Sequence, residues 1–350
     1  MHLLCSASGI RSKYGSSAPP ILAAIGKLGT LHDVSGLAPE QTQAKIAKLS
    51  AGPAALIGGY DLIAPFVRPN PTFGTQDDDA TIPTDAPYGA APGKPAQEYA
   101  PTRAVSRIPD SANADAHEFL ALLEHQAAAV SAATPSGSYQ EAAKEFAGAL
   151  KFVGMRIPTA KGPRHLSPPG HVTDSGLAAK ITGKGRIHIL LHGANSDPDW
   201  AFLWGHDGAK NSPFIKALSA PLLDLCDLRG AMVTFSSCYS AMLDAAPAVT
   251  GARVSKNQVA LACLTHGAKA VFGSTRSNWI GLTAPFDDFG PGLTGEVWSQ
   301  LAKGVPAAQA LCNAKAAYLK KALSGSPGDR PYALKTVLQA QCYGHPAARL

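Results

Sequence analysis

The apolar runs that stand out along the chain are short. Residues 187–191 (Ile-His-Ile-Leu-Leu) lead into His192-Gly193, and residues 231–235 (Ala-Met-Val-Thr-Phe) lead into Ser236-Ser237-Cys238. Runs of this length, bounded by Gly and polar residues, predict buried strands of a parallel sheet. Two more have the same form. Residues 54–59 end in Gly58-Gly59 with Tyr60 and Asp61 at the tip, and residues 268–273 are followed by a tip that reaches Trp279. Helical spacing of apolar positions predicts helices over 21–28, 40–49, about 115–133, 139–152, 257–266, 295–303 and 307–323. Asp110 or Ser111 is the expected cap of the third, which carries Phe119, Leu122 and Leu123 on one face. Residues 103–109 read as a short strand, a helix start is expected over 241–246, and 334–343 reads as a final strand or strap. Strands and helices alternate through most of the chain. That alternation predicts an α/β fold: a doubly wound, mostly parallel sheet with helices on both faces.

Residues 65–101 break the pattern, being rich in Pro, Gly, Asp and Thr, and are expected to be irregular. They contain Asp77, Asp78 and Asp79, hard oxygen donors of the kind calcium takes. Their spacing is not that of an EF-hand loop, and a solvated acidic loop is the alternative. Residues 161–170 form a second Pro/Gly/His-rich stretch, an expected seam between two halves of the chain.

Composition narrows the class. The chain has 350 residues, 45% hydrophobic and 16% charged, enough for one large α/β domain or two smaller ones. The net charge of +6 is spread along the chain without a basic run, which argues against a nucleic-acid partner. No stretch has the length of a membrane span, and the N-terminal residues lack the pattern of a secretory leader. Cys5, Cys226, Cys238, Cys263, Cys312 and Cys342 form no Cys-x-x-Cys pair and no zinc spacing, and several lie in apolar runs. A reducing, cytoplasmic location is expected, with no cofactor beyond the calcium candidate.

In open α/β sheets the reactive groups stand just past the carboxyl ends of strands. His192 and Cys238 both occupy such positions, and the chain between them has room for a strand–helix–strand crossover. A thiol beside an imidazole is the minimum set for covalent acyl transfer. The competing reading is a buried packing thiol and a structural histidine. Ser236 and Ser237 lack the Gly-x-Ser-x-Gly elbow of a serine hydrolase. The remaining cysteines read as packing residues, and His206 and His266 as structural or exposed.

Four stretches taken together resemble the clan CD cysteine peptidases, the caspase–gingipain–legumain group, and most of all the gingipain type. They are the strand ending in His192-Gly193, the strand ending in Ser237-Cys238, and the run Ala270-Val271-Phe272-Gly273-Ser274-Thr275 followed by Trp279. The fourth is Leu56-Ile57-Gly58-Gly59 with Thr84-Asp85-Ala86-Pro87-Tyr88-Gly89 and Arg107-Ile108-Pro109. The resemblance implies a caspase-like fold, with 1–160 as the N-terminal half bearing substrate-pocket loops and 161–350 as the catalytic half. It implies Cys238 as nucleophile, His192 as acid–base group, and the N–H groups of Gly193 and Cys238 as oxyanion hole. It further implies Asp85 and Trp279 as the pocket for a basic P1 side chain, by charge-assisted hydrogen bonding and cation–π contact. Local alternatives are that Asp85 caps the turn after it and that Trp279 fills core. The nucleophile segment departs from the gingipain pattern in continuing Tyr239-Ser240-Ala241. Asp61 is the candidate acid to orient His192, a bare dyad being the alternative. The implied function is a cysteine endopeptidase acting on protein or peptide substrates after Arg or Lys. A caspase-fold binding module without turnover and an acyl transferase on the same dyad are the rivals. Loop positions near Lys161 and Arg164 leave self-cleavage open.

Overall fold

The computed structural model describes residues 1–75, 77–110, 115–158, 163–170, 176–195, 201–243 and 258–350. In chain order the strands are β1 (His2–Cys5), β2 (Thr30–Asp33), β3 (Ala54–Ile57), β4 (Phe66–Pro69), β5 (Thr81–Thr84), β6 (Val105–Ile108), β7 (Ser138–Ala143) and β8 (Arg164–Ser167). They continue with β9 (Arg186–Leu190), β10 (His192–Gly193), β11 (Phe202–Gly205), β12 (Ile215–Ser219), β13 (Met232–Phe235), β14 (Ala270–Ser274) and β15 (Ala340–Gly344). Ten of them form one sheet in the order β2-β1-β3-β6-β15-β14-β13-β9-β7-β8. Every neighbouring pair is parallel except β14 with β15. The sheet is therefore two parallel blocks of opposite direction. The carboxyl ends of β9, β13 and β14 leave it at one edge and those of β1, β3 and β6 at the other.

Alternation along the strands shows that both faces are covered. Val271 of β14 packs in one core cluster with the helices Ala7–Tyr14, Ala18–Leu28, Ala116–Ala129 and Val259–Thr265. Ala270 and Phe272 point the other way, into a second cluster with Ala147–Gly154, Phe289–Ala302, Ala307–Ala322 and Arg330–Gln339. Successive side chains on a strand face opposite sides, so a strand buried on both is largely apolar. Ala54–Ile57, Ile187–Leu190 and Met232–Phe235 are fully buried for this reason. Each large aliphatic side chain so buried contributes about 1.5–3 kcal/mol. Among the described residues no helix is long and apolar enough to cross a membrane.

Several elements differ from expectation. Residues 138–143 are a strand one in from the sheet edge, not the start of a helix over 139–152; the helix begins only at Ala147. Ala, Glu and Lys favour helix, but pairing with β8 and β9 on either side overrides that weak propensity. Part of the expected seam at 161–170 is the edge strand β8. The link from His192 to Cys238 is the antiparallel sheet β10-β11-β12 followed by the one-turn helix Ala220–Leu223, rather than a helical crossover. The C-terminal segment is the helix Arg330–Gln339 followed by β15 in mid-sheet. Residues 65–101 contain the hairpin β4–β5. Asp110 caps no helix: it is buried, accepting from Tyr14, Lys13 and the Gly59 N–H, while Asp115 caps Ala116–Ala129. The expectations for Ser111, Lys161 and the helix start beyond residue 243 lie outside the described residues.

Candidate active site

The site follows from strand register. β9 and β13 are parallel neighbours, with Ile187 beside Val233 and Ile189 beside Phe235. Three residues beyond Ile189 is His192, and three beyond Phe235 is Cys238. Both therefore leave the sheet at the same edge and the same level. The two tips are fastened together. Ser236 N–H donates to Ile189 O at 2.9 Å, and Leu191 N–H donates to Ser237 Oγ at 3.1 Å. Ser236 Oγ meets Thr294 Oγ1 at 2.8 Å, and Ser237 and Ser236 are fully buried. These hydroxyls are structural, consistent with the missing serine elbow.

Gly193 lies against the Cys238 segment. A Cβ there would stand 1.9 Å from the Cys238 carbonyl oxygen, so no other residue fits without parting the tips. The Asn278 N–H donates to Cys238 Sγ at 3.1 Å, and the Gly193 N–H also points at the sulfur. Cys238 is half-buried. Burial raises its pKa, and the Asn278 N–H, the Lys335 charge and the Gly193 N–H oppose that rise without cancelling it. The resting sulfur is a thiol, and a base is needed to make the nucleophile. Tyr239, next along, has φ of 53°, a left-handed conformation that costs a non-glycine residue about 1–3 kcal/mol. Its backbone N–H to Arg276 O at 3.1 Å and its hydroxyl to Asp79 at 2.8 Å hold it there.

The acid that orients the imidazole comes from an element that sequence reasoning misassigned. β7 flanks β9 on the side away from β13, with Ala142 beside Leu190. Just past its carboxyl end stands Glu145, whose Oε1 lies 2.6 Å from His192 Nε2. A carboxylate only accepts, so Nε2 carries the proton and the lone pair is on Nδ1. Sulfur, imidazole and carboxylate thus leave three adjacent parallel strands. Burial lowers the His192 pKa, Glu145 opposes this, and the nearby His206 adds to the lowering. The ring is neutral at neutral pH and available as a base. Phe146 and Phe214 frame it, with ring centroids at 4.8 and 5.0 Å. His206, expected to be structural or exposed, places Nδ1 3.1 Å from the same Glu145 oxygen. The signal for Glu145 was present: a polar residue just beyond a third strand end, hidden by a helix-like composition.

Asp61 does not fill this role. It follows β3, whose carboxyl end is at the far edge of the sheet, and pairs with Lys13 at 2.7 Å. Asp85 does not join the dyad either. Its two oxygens take Arg107 Nε at 2.8 Å and Nη2 at 2.6 Å, and both residues are buried. Arg107 also donates to the carbonyls of Gly58, Gly59 and Ile63. Asp85 is thus the counter-charge of an internal arginine, and neither a turn cap nor a free carboxylate. Trp279 follows the Asn278 whose N–H contacts the sulfur. Its ring meets Tyr332 edge-on at 5.2 Å, it is half-exposed, and its Nε1 is buried without an acceptor among the described residues.

Of the three aspartates expected to attract calcium, Asp77 and Asp79 are bound to cations and hydroxyls of the protein, and Asp78 is exposed. Asp77 contacts Lys335, takes the Thr72 hydroxyl at 2.7 Å and takes Ser277 Oγ at 3.1 Å. Burial would raise its carboxyl, but the Lys335, Asn70 and Thr72 hydrogen bonds hold it down at about 2. Asp79 accepts from Tyr239 and from the Ser277 N–H at 3.2 Å, with Arg276 Nε at 3.6 Å. A cation there would have to displace Lys335 and Arg276. These side chains instead tie the β4–β5 hairpin to the two loops that hold the sulfur. Cys226, Cys263, Cys312 and Cys342 are buried, as expected of packing residues.

No family model matches the sequence, and no curated protein matches it. Solved structures do. The chain is similar to the Arg-specific cysteine proteinase gingipain R with a TM-score of 0.65 and 11% identity, over 100% of this chain and 78% of that one. It is similar to the complex of Porphyromonas gingivalis RgpB pro- and mature domains with a TM-score of 0.64 and 10% identity, over 100% and 79%. The fold is caspase-like. Within the caspase-like fold, the edge that carries His192, Cys238 and Glu145 is the carboxyl edge of the block β14-β13-β9-β7-β8.

Proposed function

We propose that the chain is a cysteine peptidase with Cys238 as nucleophile, His192 as acid–base group and Glu145 as the acid that orients it. The observation that carries the reading is the registered pairing of β9 and β13, which delivers an imidazole and a thiol to one sheet edge with Glu145 behind the imidazole. His192 Nδ1 takes the thiol proton, and the thiolate adds to the scissile carbonyl to give a tetrahedral oxyanion. Backbone N–H groups at Gly193 and Cys238 stabilise that oxyanion. The imidazolium returns its proton to the leaving amine, and water then hydrolyses the thioester with the same histidine as base. Glu145 holds the Nε2–H tautomer and balances the imidazolium charge throughout, as a triad carboxylate does.

The substrate is a protein or peptide. A basic P1 residue stays in the proposal on two supports: Trp279, an aromatic residue next in the chain to the Asn278 that donates to the sulfur, and the likeness to a proteinase described as Arg-specific. Asp85 is withdrawn as its counter-charge. All six cysteines are free, which suits a reducing compartment such as the cytoplasm. The deciding experiment treats the intact protein and Cys238→Ala with peptide chloromethyl ketones bearing Arg, Lys or Leu at P1. Mass addition at Cys238 together with turnover of the matching fluorogenic peptide is expected. Labelling without turnover would leave a binding module, and no labelling would remove the nucleophile assignment.

A further inference from the structure

Beside the sulfur lies a second arrangement that the peptidase mechanism does not use in full. Glu145, His192 and His206 each offer a ligand atom, and the three atoms lie within 4.8 Å of one another. His192 Nε2 is 2.6 Å and His206 Nδ1 is 3.1 Å from Glu145 Oε1. The His206 contact is anomalous as a hydrogen bond. Gly208 N–H donates to the same Nδ1 at 3.0 Å, which requires a lone pair there. An unprotonated Nδ1 then faces a carboxylate oxygen at 3.1 Å, and both are acceptors. Two lone pairs held face to face at that distance repel unless a cation lies between them.

We infer that Glu145, His192 and His206 form a site for a divalent transition metal, Zn²⁺ being the ion whose chemistry it fits best. Two imidazoles and one carboxylate suit zinc, with bonds of about 2.0–2.2 Å and a fourth position left to solvent. The spacing needs only a small outward movement of the oxygen. Access is open, since the side chains of Glu145, His192 and His206 are 18%, 29% and 13% exposed. Gly208 is at an exposed turn, where its N–H can turn to water once the metal takes the lone pair.

The consequence for activity rests on the peptidase reading above; the binding itself does not. Zn²⁺ on His192 needs the Nε2 lone pair, so the proton leaves Nε2 and the neutral ring carries it on Nδ1. That is the nitrogen which must accept the thiol proton. Metal occupancy and general-base function therefore exclude each other, and the site is an off-switch. His206, which the mechanism does not require, is what distinguishes it from a bare dyad.

The test uses Co²⁺ as spectroscopic probe on full-length Cys238→Ala, so that neither the thiol nor turnover contributes. Visible d–d bands of a four- or five-coordinate ion, displaced by Zn²⁺, are expected. His206→Gln, His192→Gln and Glu145→Gln, each made on that background and checked for an unchanged thermal transition, should each weaken Co²⁺ at least about 100-fold. Absence of such bands in the folded parent, or bands untouched by His206→Gln, overturns the inference. In the wild type, Zn²⁺ should abolish cleavage reversibly, and a chelator should restore it. His206→Gln should keep its own zinc-free rate in zinc that silences the wild type; equal inhibition of both overturns the site. Metal binding without any cleavage by the wild type would sink the peptidase reading alone, and cleavage without metal binding would sink only the switch.

Discussion

Glu145 Oε1 accepts the Nε2–H of His192 at 2.6 Å, although the two residues follow different strands of the sheet, β7 and β9. The bond fixes the tautomer, with the proton on Nε2 and the lone pair on Nδ1. Glu145→Gln keeps the shape but offers an amide that can present its N–H and favour the wrong tautomer. General acid–base catalysis is worth about 10²–10⁴-fold, so kcat is expected to fall by about 10²-fold with KM nearly unchanged. Glu145→Asp should recover part of the loss. Steady-state kinetics on the peptide found by P1 profiling checks this, and a variant with wild-type kcat would reduce the site to a dyad.

The Asp85–Arg107 pair is buried and bidentate, which makes Asp85 a stability residue. Asp85→Ala strands a guanidinium in the core and is expected to cost about 3–5 kcal/mol, read from urea unfolding. Rates on Arg, Lys and neutral P1 peptides should keep their ratios. A selective loss on basic substrates with unchanged stability would restore Asp85 to the pocket.

Gly193 is needed for its lack of a side chain. A Cβ would sit 1.9 Å from backbone at Cys238, so Gly193→Ala has to push the two tips apart. A displacement of about 1 Å at reacting groups costs on the order of 10²-fold, and kcat/KM should fall at least that far. Active-site titration with a thiol-directed electrophile, beside a circular dichroism melt, separates misplacement from unfolding. Near-normal labelling kinetics in the variant would contradict the close approach.

What the sequence revealed of this molecule, and what it hid, divides along a physical line. β3, β9, β13 and β14 were readable because a strand covered on both faces is apolar in most positions, His188 and Thr234 being buried exceptions. His192 and Cys238 were readable because they end such strands. β7 carries Gln140 and Glu141, both buried, and looks like helix from its Ala, Gln and Glu content. Only its two sheet neighbours make it a strand, and no local pattern encodes them. Losing β7 meant losing Glu145. Asp85 misled for a related reason: its partner Arg107 is distant in sequence, and a carboxylate in a turn looks free until the pair is seen. The reversal of direction between β14 and β15, which put the tip of β3 and Asp61 at the wrong edge, is likewise a property of the assembled sheet.

The buried polar groups of β7 and β9 also predict an unusual pH profile of stability. Burial pushes the Glu141 carboxyl up to about 7, against a hydrogen bond from Tyr139 and the charge of Lys180. The folded protein then holds this proton more tightly than the unfolded chain, whose carboxyl has a pKa near 4.5. Stability from this group is complete below pH about 4.5 and is lost as pH rises through about 7, by roughly 3 kcal/mol. His188 acts in the opposite sense. Burial drives it down to about 3 from 6.5, so its contribution is lost as pH falls below about 6.5. Between these limits the two slopes oppose each other and flatten the wild-type profile. Glu141→Gln stays neutral at every pH and can still accept from Tyr139. It should leave stability nearly unchanged at pH 4.5, raise it by about 3 kcal/mol at pH 8, and expose the rising limb due to His188. Urea unfolding at half-unit pH intervals measures this. Parallel curves for wild type and variant would mean that Glu141 is ionised in the folded protein and that the β7–β9 core tolerates its charge.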